Sequence, residues 1–275
     1  MLESTPAIKV AILDMNNGAP NQGMRGILDI LKEYPYPLTW DIFDVRVKHQ
    51  IPDTSYDIYI SSGGPGSPLE GNGGWGQNYF ALIDRLWQLN REGTSSKKYA
   101  FFICHSFQMV CGHFKLGKIT KRKSTSFGVL PVHKTFKGNV DPLLQGLADP
   151  FYVVDSRDWQ VVQPNLKVFE QHGASILSLE KIRNHLKYER AIMAVRFSEE
   201  FVGTQFHPEA DPEGMSLYLQ NPQKKEQIYN TYGEQKYIDM VMQLEDPEKI
   251  KLTHQQILPA FLDSAIQALQ GVEMV

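Results

Sequence analysis

Lys98-Tyr99-Ala100-Phe101-Phe102-Ile103-Cys104-His105-Ser106-Phe107-Gln108-Met109-Val110 is the stretch whose reading decides the fold. An apolar, aromatic-rich run with the pattern of a buried strand stops at a cysteine, and apolar residues at helical spacing follow. The pattern predicts a strand-to-helix turn with a thiol at its tip. A nucleophile on such a bend stands clear of the sheet and feels the positive end of the helix, which favours the thiolate. A lone cysteine is more commonly a small buried hydrophobe. A second stretch argues against that here.

About a hundred residues downstream, Gly203-Thr204-Gln205-Phe206-His207-Pro208-Glu209 ends a strand-like run, 201–206, in a histidine with a carboxylate two positions beyond. A thiol nucleophile needs a base, and the base needs a partner that fixes its tautomer. Cys104, His207 and Glu209 supply those residue types. Upstream, Ile60-Ser61-Ser62-Gly63-Gly64-Pro65-Gly66 follows a third predicted strand. Its glycines let backbone N–H groups converge on an anion, and it lacks the Gly-Lys-Ser/Thr ending of a phosphate loop.

These three stretches, in this order and spacing, resemble the class I, triad-type glutamine amidotransferases, over roughly residues 8–212. The chain is similar to a free-standing glutaminase domain such as that of GMP synthase. The resemblance implies a catalytic triad of Cys104, His207 and Glu209. It also implies an oxyanion hole from the backbone of Gly64 and His105, with Gly63 beside it, and substrate contacts from Gln108, Ser126, Phe127 and Gly128. It implies neither cofactor nor metal. Phe102 and Ser106 stand where the family pattern has glycine, so crowding is expected at the elbow and at the glutamine pocket. Ser156-Arg157 stands where many members have Ser-His.

The rest of the chain predicts an α/β domain with a mostly parallel open sheet, flavodoxin-like, and helices on both faces. Strands are expected over 8–13, 38–45, 56–61, 117–121, 129–136, 151–155, 159–162, 191–197 and 201–205. Helices are expected over 23–34, 77–89 and a charged stretch 180–190. Asn16, Asn17 and Arg25 fall where a strand's carboxyl end meets a loop, the ligand side of such sheets. Lys121-Arg122-Lys123 reads as a solvated turn, and 71–76 as a glycine-dense loop beside the site. Beyond Asp211 the composition shifts to amphipathic helices, 224–244 and 253–269, with Thr253 as N-cap. The expected division is a catalytic domain over 1–211 and a helical extension over 212–275.

A formal net charge of -3 across 275 residues gives no electrostatic reason to expect nucleic acid or an anionic membrane as partner. No apolar run reaches the length of a membrane span, and the N-terminus has no signal-peptide pattern. The eight histidines do not fall at metal-ligand spacings. Cys104 and Cys111 sit two helical turns apart, about 10 Å, too far for a disulfide. Two unbridged thiols suit a reducing cytoplasm. The expected substrate is glutamine or a γ-glutamyl small molecule, with an acceptor or synthase protein in trans, and self-association into a homo-oligomer is left open. Three functional readings stand at this point: an amidotransferase-like glutaminase, a γ-glutamyl amide or peptide hydrolase with the same triad, and a catalytically silent binding protein on this fold.

Overall fold

The computed structural model describes residues 7–19, 21–70, 74–93, 96–182, 189–246 and 249–271. The first half of the expected loop at 71–76 and the centre of the expected helix at 180–190 lie outside them. The chain runs β1 (Ile8–Asp14), α1 (Gln22–Glu33), β2 (Leu38–Asp44), β3 (Ile58–Ser61), α2 (Trp75–Glu92), β4 (Tyr99–Ile103) and α3 (His105–His113). It continues through β5 (Lys118–Lys134), α4 (Phe136–Val140), a 3-10 turn (Pro142–Leu144), β6 (Phe151–Val162), α5 (Leu166–His172), β7 (Ser175–Glu180), β8 (Ile192–Arg196) and β9 (Phe201–Thr204). Four helices close it: α6 (Pro212–Gln220), α7 (Pro222–Tyr232), α8 (Glu234–Leu244) and α9 (Ile250–Gln270).

The strands form one open sheet in the order β2-β1-β3-β4-β9-β8-β7-β5-β6. From β2 to β9 the pairs are parallel, and from β9 to β6 they are antiparallel. The inner parallel strands β1, β3, β4 and β9 are short and mostly apolar because both of their faces are covered, whereas the edge strand β2 is partly exposed. Alternation along each strand sends successive side chains to opposite layers. Val10, Ile12, Phe101 and Ile103 face a layer with Ile27 of α1 and Ile257 and Phe261 of α9. Ala11, Leu13, Tyr59 and Phe102 face a layer with Leu82 and Leu86 of α2, Phe107 of α3, and Phe197. Phe101 meets Phe261 edge-on at 5.2 Å, so α9 belongs to the core of the parallel sheet.

Helices α6, α7 and α8 cover the antiparallel arm, where Met215, Leu219, Ile228 and Met240 pack on Val129 and Val154. Asn221 caps α7, accepting from the N–H groups of Gln223 and Lys224.

Local expectations change in four places. Lys121-Arg122-Lys123 is strand rather than turn, part of β5 with an irregularity before Ser126, and only Lys121 and Lys123 are exposed as expected. The Arg122 side chain is only 8% exposed and pairs with Glu180 at 3.3 Å. The expected helix 224–244 is two helices, broken at Gly233 (φ 87, ψ 160). Glu180 ends β7, a strand absent from the sequence reading, rather than opening a helix. Thr253 lies inside α9, and its hydroxyl donates to the Tyr152 carbonyl at 2.6 Å instead of capping.

Candidate active site

Parallel pairing of β4 with β9 puts two strand ends side by side, and the Cys104 N–H donates to the Thr204 carbonyl at 2.7 Å. The chain turns sharply at Cys104, whose φ of 48 is unusual for a residue with a side chain and holds the thiol on a strained bend. Ser106, fully buried, locks that bend. Its hydroxyl accepts from the Ile103 N–H at 2.9 Å and lies 2.9 Å from the Ser61 carbonyl at the end of β3. The serine that departs from the family glycine thus ties the elbow to the neighbouring strand.

Phe102 does not crowd the pocket, contrary to the expectation. Strand alternation turns its ring to the opposite layer, where it meets Phe197 and Phe201 edge-on at 5.8 and 5.7 Å.

After β9, Phe206 is anchored in the core against Phe151, and the His207 N–H donates to the Val154 carbonyl at 2.9 Å. His207 Nδ1 lies 2.8 Å from Glu209 Oε1. Glu209 is 1% exposed and sits against the first turns of α1, where the helix's positive end favours an anion. The fit depends on Gly26: a Cβ there would stand 2.1 Å from the Glu209 carbonyl oxygen. Burial opposes charge on His207, but the Coulombic attraction of Glu209 and Cys104, with hydrogen bonds to both, raises its pKa well above the usual value.

Gly63 lies between the strand ends: a Cβ there would be 2.8 Å from His207 Cε1 and 3.6 Å from Cys104 Cβ. Gly64 rests on the Met15 carbonyl. His105 opens α3, so its N–H has no acceptor within the helix. Its side chain is buried and kept neutral at physiological pH, its pKa pushed down to about 4 by burial and by the charge of Arg46. Gln108 donates to the Trp159 carbonyl at 2.9 Å and to Gln205 Oε1 at 3.0 Å. Gln205 in turn points its amide at Cys104 Sγ, 3.7 Å away. The sequence reading gave Gln205 no role; its signal was a polar residue at the end of an apolar strand run.

A cavity of about 760 Å³ opens over these groups, with Cys104, His207, Glu209, Gly63, Gly64, His105 and Gln108 on its wall. Asn16 and Arg25 reach it too; Asn17 is not among its lining residues. Of the three neighbours on β5, Phe127 lines the cavity and stacks on Tyr232 at 5.5 Å. Ser126 instead donates to Asp155 Oδ2 at 2.7 Å, and Gly128 faces Lys236. Arg157 does not stand in for a histidine in the site. Its guanidinium is buried against Asp155 (3.0 Å) and Glu180 (3.3 Å), a paired charge inside the antiparallel arm. Tyr218 and Lys224, from the closing helices, complete the far wall. Among the described residues no His, Cys, Asp and Glu cluster could hold a metal ion.

The family model described as glutamine amidotransferase class-I matches residues 25–222, well over half of the chain. The chain belongs to the class I glutamine amidotransferase family. Solved structures with the same fold include a glutamine amidotransferase from Thermotoga maritima, 16% identical over 96% of this chain and 100% of that one, with a TM-score of 0.69. A glutamine amido transferase from Methylobacillus flagellatus is 14% identical over 97% and 96% of the two chains, with a TM-score of 0.67. The glutaminase domain of Trypanosoma brucei CTPS, solved with bound acivicin, is 11% identical over 98% and 96%, with a TM-score of 0.57. No curated protein matches the chain. In this family member, α8, α9 and all of α7 after Pro222 lie beyond the matched region, although α9 is part of the core. No helix among the described residues is long and apolar enough to cross a membrane.

Proposed function

We propose that this chain hydrolyses the side-chain amide of glutamine and delivers the ammonia to an acceptor enzyme in trans. The observation that carries the reading is the meeting of Cys104, the His207–Glu209 pair and the glycine loop at one cavity wall. The Cys104 thiolate attacks the amide carbon. The carbonyl oxygen takes the negative charge, and the N–H groups of Gly64 and His105 receive it. One such donor is worth about 3 kcal/mol of barrier. As the tetrahedral intermediate collapses, His207 gives its proton to the leaving nitrogen and ammonia departs, leaving a glutamyl thioester on Cys104. His207 then takes a proton from water as it attacks, and glutamate and the free thiol are released. Glu209 keeps Nδ1 of His207 protonated and the ring oriented throughout.

In this reading Gln108 and Phe127 hold the amino-acid end of the substrate, with the backbone around Ser126 and Gly128 alongside. Two free thiols, Cys104 and Cys111, fit a reducing cytoplasm. The test is rapid quench with glutamine followed by mass spectrometry. A glutamyl adduct on the Cys104 peptide and release of ammonia are expected. No adduct with any γ-glutamyl compound would overturn the reading.

One observation favours a second reading. The cavity reaches beyond the triad to Arg25, Tyr218 and Lys224 and is far roomier than free glutamine needs. A γ-glutamyl amide or peptide hydrolase would use that space for its leaving group. Faster acylation by γ-glutamyl peptides than by glutamine would select it.

A further inference from the structure

The glycine loop is held at both ends, by different means. At its start, Ser62 donates its N–H to the Leu13 carbonyl at 3.0 Å, and its hydroxyl accepts from the Met15 N–H at 2.9 Å. At its far end the contact comes from outside the motif. Arg46, in the turn after β2, donates from Nη1 to the Pro65 carbonyl at 2.6 Å and to the Met15 carbonyl at 3.3 Å. Met15 O is also the atom on which Gly64 rests, so one guanidinium nitrogen joins the two backbone segments that sandwich the oxyanion glycine. The Arg46 guanidinium itself is fixed by the Trp75 ring, whose centroid is 5.4 Å away. Its Nε is buried without a hydrogen-bond partner among the described residues. A lysine ammonium could donate to both carbonyls from its single nitrogen, but it lacks the planar guanidinium that rests on the Trp75 ring and holds the arginine in place.

We propose that Arg46 is a positioning residue for the oxyanion hole: it clamps Pro65 O and Met15 O so that the Gly64 N–H stays aimed at the cavity. The inference rests on the glutaminase reading above. Its charge also lies on the oxyanion side of the site, near enough to His105 to disfavour protonation of that ring. Among the described residues, the carboxylate of Glu70 faces Arg46 across the loop. Donors preset at the place where charge develops need no reorganisation during reaction, and misplacing such a group by about 1 Å costs on the order of 10²-fold in rate.

The experiment compares the full-length wild type with Arg46→Met and Arg46→Lys in three readouts. In single-turnover acylation by glutamine, Arg46→Met is expected to be about 10- to 100-fold slower, with the dissociation constant for glutamine changed less than about threefold. Arg46→Lys should recover only part of the loss. Iodoacetamide labelling of Cys104, which needs a thiolate but no oxyanion hole, should stay within about twofold of wild type. Amide hydrogen exchange should rise in the peptide covering 62–66 in both variants, a readout independent of any activity. Unchanged exchange there, or acylation equal to wild type, overturns the clamp. A parallel fall in labelling and acylation also overturns it, since the elbow rather than the loop would then have been disturbed. A wild type that forms no thioester removes the glutaminase reading; increased exchange in the variants would still establish the clamp on the loop.

Discussion

Phe102 and Gly203 are register partners on the adjacent parallel strands β4 and β9, and a Cβ on Gly203 would stand 3.0 Å from Phe102 Cβ and 2.8 Å from its carbonyl oxygen. The missing side chain on one strand makes room for the large one on the other. The bulk that replaces the family glycine is therefore absorbed inside the sheet's far layer. Phe102→Ala should cost about 3–5 kcal/mol of stability, and neither it nor Phe102→Gly should raise turnover. Urea denaturation and glutaminase assays check this; a stable, faster Phe102→Gly would return the residue to the pocket.

Cys104 and Cys111 should separate cleanly in labelling. Burial pushes the Cys111 thiol well above its ordinary range, and it is wholly enclosed by core side chains. Cys104 sits at a helix N-terminus on a cavity wall beside His207. Brief iodoacetamide treatment at neutral pH should modify the Cys104 peptide and leave Cys111 free. Equal modification would count against the proposed triad.

Gly26 offers a test of Glu209 that leaves the triad residues intact. Gly26→Ala must push α1 away from the Glu209 backbone, so the carboxylate should lose its alignment with His207. Turnover should fall by at least about 10²-fold, comparable with Glu209→Gln and less than Cys104→Ala. Steady-state glutaminase assays of the three variants decide the order.

The two histidines at the site act on stability with opposite signs. His105 has its folded pKa lowered to about 4 from 6.5. Below 6.5 the unfolded chain takes up a proton that the folded chain refuses, so stability falls with pH down to about 4, by up to about 3 kcal/mol. His207 has its folded pKa raised, so its contribution is fully present below 6.5 and is lost as pH rises through the raised value. Chemical denaturation across pH should show His105→Gln blunting the acid loss and Glu209→Gln blunting the alkaline loss. An acid slope unchanged in His105→Gln would contradict the assignment.

The helical extension should not be removable as a unit. Ile257, Phe261, Ala265 and Ile266 of α9 are buried in the same core as β1 and β4. A chain ending at Asp211 should therefore fail to accumulate as folded protein, judged by circular dichroism and thermal melting. A folded truncate with an altered oligomeric state would make the extension an interface instead.

The sequence by itself determined the elbow at Cys104, the glycine loop after β3 and the His207–Glu209 pair, because each depends on local rules. A strand's apolar run, a turn's glycines and a helix start are written within about ten consecutive residues. The parallel arm was legible for the same reason. Only the tertiary structure decided where Phe102 points, since strand parity at a strained turn is fixed by what the neighbouring strand leaves open. It alone paired Arg122 and Arg157 with Glu180, drawing one arginine of an otherwise exposed basic run into the antiparallel arm. It alone set Arg46 against Pro65 and Gly26 against Glu209. Those partners are 19 and 183 positions apart, and no local pattern of hydropathy or turn chemistry encodes which distant backbone a glycine or a guanidinium will meet.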